Sequence, residues 1–530
     1  MAKYIFYYGE FPIFIAQQER LGIFIGYFTA ILVKLFGSHT IVIKLLPTLI
    51  SLLYCHAVFR LAQKIGDKNF AWYAFLLSVF CPAFMTSWVV NGTDHYITFM
   101  TLGVYLLLLI IHFSEVETPA AAEHQNHRYR SIILPIYIGA LMGLSFWIHP
   151  LSLTYILPGL MALFCTTPHS RLLRRIPFLV TGLALTLLPM IYYNLSPAAR
   201  AANAMEESPD WVSILSLFHP GNSNGGFLSG MQELPGVFGD IIIYAFPVLW
   251  GGFEWNFETG IARKAIFLLT AFILGTGVFY FLFMRLITIR LQKKFPYWIW
   301  DRKDLILYSL VTMLLLFGLS QYKTNVHEPR YLMPFYFSLT LMLAWSINEW
   351  AKHFRVVGKI LITFLLSVAI ATTLWPSQTM DPDHTLWPRD RKLEQHLIQN
   401  KIKYPVAGFW VAYPLAFESD EKIWPIPILL EKFQYFLQRK GWQPDIVEPY
   451  YIFPNRHTNK AVAAHFFPWD EAPLWDSNDF TDHLRRLKIR EDGYQKYSFE
   501  HYDLFYVSPS LMNPTRFVLS PYTPLLPEKS

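Results

Sequence analysis

Long apolar runs recur through the first 375 residues of the chain, separated by short polar segments and by one long loop over 194–263. Each run approaches the roughly 20 residues that an α-helix needs to cross a bilayer. The pattern therefore predicts a polytopic α-helical membrane protein with about ten spans. The predicted spans cover residues 40–59, 70–90, 95–113, 131–148, 150–166, 176–193, 265–284, 304–320, 331–348 and 357–375.

Two interruptions refine this pattern. The run over 22–37 is short and contains Lys34, so it predicts a helix that lies on the membrane surface. Pro82 falls inside the second long run, and we expect it to end or kink that helix, because proline lacks the N–H that the helix needs.

Residues 376–530 have a different composition, in which Pro, Trp and charged residues alternate with short strand-like runs. The strand-like runs are 406–412 and 503–507, and helix-like stretches cover 391–402, 429–439 and 479–489. A segment of this length forms one soluble domain, which we predict to be α/β. The chain thus divides into a membrane domain, 1–375, and a C-terminal domain, 376–530.

Lys and Arg concentrate in alternate loops, which predicts the orientation of the chain in the membrane. The basic loops are 60–68, 128–130, 171–175, 285–303 and 352–359. The positive-inside rule makes these loops cytoplasmic. We therefore expect a plasma (inner) membrane protein whose C-terminal domain is extracytoplasmic. The net charge of +6 lies in these loops and indicates topology, not nucleic-acid binding.

Several classes of protein are disfavoured by what the sequence lacks. The three cysteines have neither metal-ligand spacing nor a disulfide framework. The sequence contains no phosphate-binding Gly-rich loop, no metalloprotease His pair and no nucleophile elbow. An ATP-driven machine and a soluble-type hydrolase are therefore disfavoured.

Four polar groups fall on the predicted outer side, near the same depth in the membrane. A carboxylate beside a His can hold a divalent metal or act as a general base, and Arg, Lys and Tyr can hold a phosphate. This common position predicts a site that these groups line together. The candidate residues are Gln18, Glu19, Arg20, Asp94, His95, His149, Lys323, His327, Arg330 and Tyr331.

Each member of this set also has a purely structural interpretation. Arg330 can extend to the interface while Tyr331 belongs to an aromatic belt. Asp94 can cap a helix, and His149 before Pro150 can form a turn. The sequence leaves these alternatives open for any single residue.

A series of short motifs resembles a known family. In order along the chain they are Gly9, Pro12, Gln18, Gly22, Leu35–Gly37, Lys44–Pro47, Gly143–Pro150, Arg330–Pro334 and Phe409–Glu421. The series is similar to the bacterial relatives of the dolichyl-phosphate-mannose protein mannosyltransferases and of the lipid A aminoarabinose transferase. These are polytopic glycosyltransferases of the GT-C fold.

The resemblance implies transfer of a sugar from a polyprenyl-phosphate carrier to a lipid, glycan or protein acceptor on the outer face. It assigns Arg330 and Tyr331 to the donor phosphate, with Lys323 and His327 in support. Glu19 and Asp94 become the candidate catalytic or metal-binding carboxylates, and a divalent metal ion assists in some members of the family. The C-terminal domain is expected to cover the site and to help choose the acceptor.

The family's acidic motif follows a first span, and this chain has no Asp before Asp67. We therefore expect a first span and its acidic pair to precede residue 1, and transfer by the chain as given to be weak. Two other functions stay open: a lipid or solute transporter or flippase, and a non-catalytic GT-C homologue. The lack of an internal repeat and of charges deep in the spans disfavours the transporter.

Overall fold

A computed structural model gives the fold of the chain, which divides into two compact units, Met1–Trp375 and Pro376–Ser530. The structure describes residues 13–15, 18–37, 40–82, 85–86, 94–116, 132–196, 234–241, 249, 261–291, 301–319, 329–379, 390–407, 415, 419, 422–423, 426–427, 450–454, 481, 494–499 and 502–507.

The first unit begins with a short hairpin and continues as helices. The hairpin strands are β1 (Phe14–Ile15) and β2 (Gln18–Gly22), which pair antiparallel. The helices are α1 (Phe24–Phe36), α2 (Thr40–Ile65), α3 (Lys68–Val79), α4 (Asp94–Val116), α5 (Leu134–Ile148), α6 (Leu153–Thr166), α7 (His169–Leu195), α8 (Ile261–Leu291), α9 (Asp304–Gly318), α10 (Met333–His353) and α11 (Arg355–Thr379). Short 3-10 turns, Pro150–Ser152 and Pro329–Leu332, precede α6 and α10.

Each of the ten predicted runs overlaps one of these helices, and so does the predicted surface helix. Among the described residues, four helices are long and apolar enough to cross a membrane: Ile41–Ile65, His95–Glu115, His169–Leu195 and Leu268–Thr288. The chain is thus a mostly helical protein with several apolar helices, and the count of ten spans stays a prediction.

Local chemistry sets several helix ends. Asp67 precedes α3, and its side chain accepts a hydrogen bond from the Phe70 N–H at 2.9 Å. This caps the helix by satisfying one of its free N–H groups. The same helix stops at Val79, before Pro82, as the missing proline N–H predicts. Helix α7 likewise begins directly after Pro168.

Two features describe the packing of this unit. Helix α10 is central, since its side chains from residue 333 to 348 are all buried.

Helices α5 and α7 meet backbone to backbone at Gly139 and Gly182. A Cβ on Gly139 would overlap the Leu179 carbonyl, and one on Gly182 would overlap the Ile136 carbonyl. Only glycine permits this approach.

The second unit contains a five-stranded mixed sheet. Its strands are β3 (Val406–Ala407), β4 (Ile426–Pro427), β5 (Tyr450–Pro454), β6 (Tyr494–Ser498) and β7 (Tyr502–Val507). Their order in the sheet is β4-β3-β5-β7-β6. Helix α12 (Arg391–Gln399) contributes Leu393 and Leu397 to the core of this unit. The other predicted helices, 429–439 and 479–489, lie outside the described residues, apart from residue 481.

Candidate functional site

His95 and His149 lie together at one end of the helical unit. Their rings stack with centroids 5.6 Å apart and planes 17° apart, and both side chains are buried. Tyr96 lies 5.1 Å from the His149 ring. The start of α4 and the break between α5 and α6 therefore meet here, and we call this end of the unit the histidine end.

The sequence at the break explains how His149 is held. Its N–H bonds to the Ser145 carbonyl at 3.0 Å and ends α5, and Pro150 then starts the 3-10 turn. The His149 Nδ1 accepts a hydrogen bond from the Leu151 N–H at 3.1 Å. In the neutral ring, the hydrogen therefore sits on Nε2. Nδ1 of His149 thus stabilises the turn, as the structural alternative predicts, and Nε2–H is left as a hydrogen-bond donor.

Aromatic rings continue inward from this pair. Phe99 lies 4.9 Å from His149, Tyr155 lies 6.4 Å from Phe99, and Phe337 lies 5.3 Å from Tyr155. Phe337 belongs to the first turns of α10, just after the turn that contains Arg330 and Tyr331. The ring contacts therefore bring the starts of α4, α6 and α10 to the same end of the unit.

The β1–β2 hairpin also meets this end. A Cβ placed on Gly22, the last residue of β2, would lie 2.6 Å from the Trp147 carbonyl oxygen and 3.0 Å from the indole Nε1. Trp147 lies two residues before His149. Strand β2, which contains Gln18, Glu19 and Arg20, thus ends against Trp147, two residues from His149 along the chain.

The structure describes some predicted residues only in part. It gives the backbone alone for Gln18, Glu19 and Arg20 in β2, for Asp94 at the start of α4, and for Arg330 in the 3-10 turn. Tyr331 is half-buried against the core of the unit. Lys323 and His327 lie outside the described residues. The predicted roles of all these residues stay predictions.

No group of three or more His, Cys, Asp or Glu side chains that could hold a metal ion occurs among the residues described. The side chains of Glu19 and Asp94, the predicted metal ligands, are not among the described side chains. The His149 Nδ1 is already engaged by the Leu151 N–H, so only Nε2 of that ring is available as a ligand.

Several buried polar atoms at this end have no hydrogen-bond partner within the described part of the chain: the Trp147 Nε1, the Ser152 Oγ and the Tyr155 hydroxyl. Burying such groups unpaired is costly, so partners are expected. Sequence reasoning missed Phe99 and Tyr155, because an aromatic residue in an apolar run resembles any core residue. Gly103 was the available signal: a Cβ there would overlap the Tyr155 ring.

The opposite end of the unit is built from ion pairs, and we call it the ion-pair end. Glu115 of α4 binds Lys64 of α2 at 2.6 Å and Arg302 at 2.9 Å. Asp67 accepts from Asn348 at 2.9 Å and lies 3.2 Å from Lys352, both on α10. These contacts join the ends of helices that flank the predicted cytoplasmic loops.

The most enclosed ion pair at this end joins α8 to α9. Arg285 donates through Nε to Asp304 at 2.9 Å, and through Nη1 to Asp301 at 2.9 Å. Arg285 is 5% exposed and Asp304 is fully buried. The third guanidinium nitrogen, Nη2, also binds Asp304, so two nitrogens bind that carboxylate. The charges on both partners are therefore neutralised inside the protein.

The chain is similar to known proteins in part of its sequence and in its fold. Residues 22–193 match the sequence profile of the dolichyl-phosphate-mannose-protein mannosyltransferase family. The structure is similar to that of ArnT from Cupriavidus metallidurans bound to undecaprenyl phosphate, with a TM-score of 0.51 and 12% identity. That match covers 97% of this chain and 93% of ArnT. The chain has the GT-C fold.

A weaker structural similarity is to a protein from an archaeon. The oligosaccharyltransferase AglB from Archaeoglobus fulgidus, in complex with an inhibitory peptide and a dolichol-phosphate, aligns with a TM-score of 0.43 and 12% identity. The alignment covers 91% of this chain and 66% of AglB. The GT-C assignment therefore rests on ArnT. No curated protein sequence matches the chain at a significant level.

The GT-C fold confirms the resemblance that the sequence motifs indicate. The segment matched by the family profile runs from Gly22 to Tyr193. It therefore includes His95, Trp147 and His149, and it leaves out α10 and the hairpin residues before Gly22.

Proposed function

We propose that the chain is a glycosyltransferase that moves a sugar from a polyprenyl-phosphate carrier to an acceptor on the outer face of the membrane. One observation carries the proposal: the mannosyltransferase profile matches residues 22–193, the segment that builds most of the histidine end. The undecaprenyl phosphate bound to ArnT supports the class of donor.

The proposed reaction breaks the bond between the anomeric carbon and the phosphate oxygen. The acceptor oxygen attacks that carbon, the lipid phosphate leaves with the bonding electrons, and a carboxylate takes the acceptor's proton. Glu19 and Asp94 are the candidate carboxylates in this chain. A cation must stabilise the departing phosphate, which is the larger electrostatic requirement.

We assign the phosphate to Arg330 and Tyr331, with Lys323 and His327 in support. Support for this assignment comes from position. The turn Pro329–Leu332 directly precedes α10, and the rings of α10 reach the histidine pair through Tyr155. A guanidinium binds phosphate through paired hydrogen bonds that an ammonium does not reproduce.

The acceptor, the metal and the orientation are further parts of the proposal. The acceptor is a lipid, a glycan or a protein. A divalent metal, if bound by Glu19 or Asp94, would stabilise charge on the phosphate. We place the second unit outside the cytoplasm on the loop charges alone. Protease added to intact spheroplasts should trim residues 376–530, and protection until lysis would reverse the proposed orientation.

Transfer from a radiolabelled polyprenyl-phosphate sugar tests the function, and Arg330→Ala tests the donor site. We expect weak but detectable transfer by the wild-type chain, and weaker donor binding by the variant. The expected loss is about 2–3 kcal/mol for charge-assisted hydrogen bonds, or about 30–160-fold. Arg330→Lys should weaken binding less. Arg302→Ala, at the ion-pair end, is the matched control and should bind donor normally.

The same experiment separates the alternatives. Donor binding without transfer to any acceptor would support a non-catalytic homologue. Movement of the labelled lipid across a vesicle bilayer without transfer would support a flippase. Normal donor binding by Arg330→Ala would show that Arg330 is only an interfacial anchor.

A further inference from the structure

We propose that Gly22 is a positioning residue for sugar transfer, which holds the β1–β2 hairpin at a fixed distance from the histidine pair. The inference rests on the proposed function. It concerns a residue that touches no reacting atom and acts through the strand that contains Glu19.

The contact at Gly22 leaves no room for a side chain. A Cβ there would lie 2.6 Å from the carbonyl oxygen of Trp147 and 3.0 Å from its carbonyl carbon. Both atoms belong to the backbone at the end of α5, so they cannot turn away as a flexible side chain can. Any other residue at position 22 must therefore move the hairpin, the end of α5, or both.

The surface that receives the hairpin is packed in place. Trp147 forms a buried cluster with Met190 and Tyr193 of α7, and Ile13 and Phe24 pack against it. The Phe24 and Trp147 rings are 6.1 Å apart in an edge-to-face arrangement. We therefore expect the hairpin, and not the end of α5, to be the part that moves.

The hairpin that this contact joins to α5 is short. β1 has two residues and β2 has five, with an irregular register between them. A two-stranded hairpin of this size is marginal in isolation. Besides the strand pairing, a hydrogen bond from the Ile23 N–H to the Ile13 carbonyl, at 3.2 Å, holds the two chain segments together.

Other close-packed glycines show why Gly22 is different. Gly139 and Gly182 also sit against backbone carbonyls, but they lie between two helices that hold none of the predicted reactive groups at that level. Gly22 ends the strand that holds Gln18, Glu19 and Arg20, and it contacts the residue two positions before His149. Its contact therefore fixes the distance between two groups of candidate site residues.

The expected effect follows from the size of the displacement. Relief of the overlap requires a shift of roughly 1 Å, and a misplacement of that size costs about 10²-fold in rate. Gly22→Ala should therefore lower kcat by about 10–100-fold. The KM for the polyprenyl-phosphate donor should change little, because its candidate ligands Arg330 and Tyr331 lie on another element.

The matched control is Gly275→Ala in α8, where a Cβ would meet nothing within 4 Å. Full-length wild type and both variants would be purified and compared for kcat, donor KM and thermal stability. Hydrogen exchange of the amides from residue 13 to 23 would report the hairpin directly. We expect faster exchange there in Gly22→Ala alone, and a fall in kcat that exceeds any loss of folded protein.

A second variant covers the case in which Gly22→Ala does not fold. Ile13→Ala removes hairpin packing against Trp147 without adding an atom, so it creates no overlap. It should show the same signature, a lower kcat with unchanged donor KM, to a smaller degree. An unchanged kcat in that variant would overturn the inference.

The outcomes distinguish this inference from the proposed function. Wild-type transfer with an equal kcat in Gly22→Ala overturns the positioning role and leaves the proposed function standing. No transfer by the wild type, with normal exchange of the hairpin, overturns the proposed function and with it the role in transfer. A lower kcat together with a raised donor KM would also count against the inference.

Discussion

At the ion-pair end of the helical unit, side chains of opposite charge bind each other across helices. At the histidine end, the described contacts include those between stacked or tilted rings and that of Gly22 with the backbone of α5. Glu115 at the first end has two cationic partners. At the second, the Tyr155 hydroxyl and the Trp147 indole N–H have no partner in the described part of the chain.

The difference separates two tasks within one bundle. Charges that neutralise each other hold helix ends together and leave little field for a ligand. The buried Tyr155 hydroxyl and Trp147 indole N–H can still donate a hydrogen bond to a ligand. We therefore expect substitutions at the ion-pair end to affect stability, and substitutions at the histidine end to affect transfer.

The largest expected effect is at Arg285. Arg285→Ala leaves the fully buried Asp304 carboxylate without its cation, and Asp301, which shares that cation, adds a like charge nearby. Removing one partner of a buried pair costs about 3–5 kcal/mol. We expect a large fall in thermal stability of the detergent-solubilised protein, measured by the loss of folded protein on heating.

Arg302→Ala provides the comparison, since Arg302 is 43% exposed in its pair with Glu115. An exposed pair contributes about 0–1 kcal/mol. Similar losses in the two variants would show that burial does not decide the strength of these pairs.

The apolar pattern of the sequence predicted the helices well, and one boundary shows why. The apolar run over 70–90 is continuous, but helix α3 ends at Val79. Pro82 within that run predicted that the helix would end or kink there. Helix α7, in contrast, begins at His169, several residues before the apolar run from 176. Its first turns contain Arg171 and Arg175, which hydrophobicity alone assigns to a loop.

The candidate site was predictable only in part. Loop charges placed His95 and His149 on the same side, and the structure brings them into contact. The contact of Gly22 with Trp147 could not be predicted, because it depends on how the hairpin meets a helix far away in sequence. A glycine within a strand does indicate a close backbone approach, but it does not identify the partner.

His149 gives the intermediate prediction. His149→Asn supplies an oxygen that can accept from the Leu151 N–H, so the turn should survive. The ring stacked on His95 is lost. We expect transfer to fall by about 10–100-fold through misplacement of the neighbouring groups. Thermal stability should change far less than in Arg285→Ala.

His149→Ala sharpens this test, because it removes the ring and the acceptor together. It should lose stability as well as transfer, by about 1–3 kcal/mol for the unsatisfied N–H. If His149→Asn transfers sugar normally while His149→Ala is unstable, His149 serves only the turn.

The smallest expected effect concerns Asp67, at the ion-pair end. Partial burial raises the pKa of its carboxyl, but hydrogen bonds from the Phe70 N–H, Asn348 and Lys352 outweigh that, so its pKa lies below the usual value. A carboxyl whose pKa is lowered by folding stabilises the protein above its unfolded pKa, about 3.9. That contribution is lost as the pH falls through the folded pKa, which lies lower still.

Asp67→Asn tests this contribution, because asparagine can still cap α3 but has no charge for Lys352. The two side chains are 44% and 49% exposed, so the expected difference is within the roughly 0.2–1 kcal/mol of exposed pairs. Thermal unfolding of wild type and variant should differ near neutral pH and converge as the pH falls from about 3.9 through the lower folded pKa, where the carboxylate becomes protonated in the folded protein. A difference in stability that persists in acid would come from the hydrogen bond with Asn348 and not from the charge of Asp67. The contrast between the two ends would then depend on hydrogen bonding around Asp67.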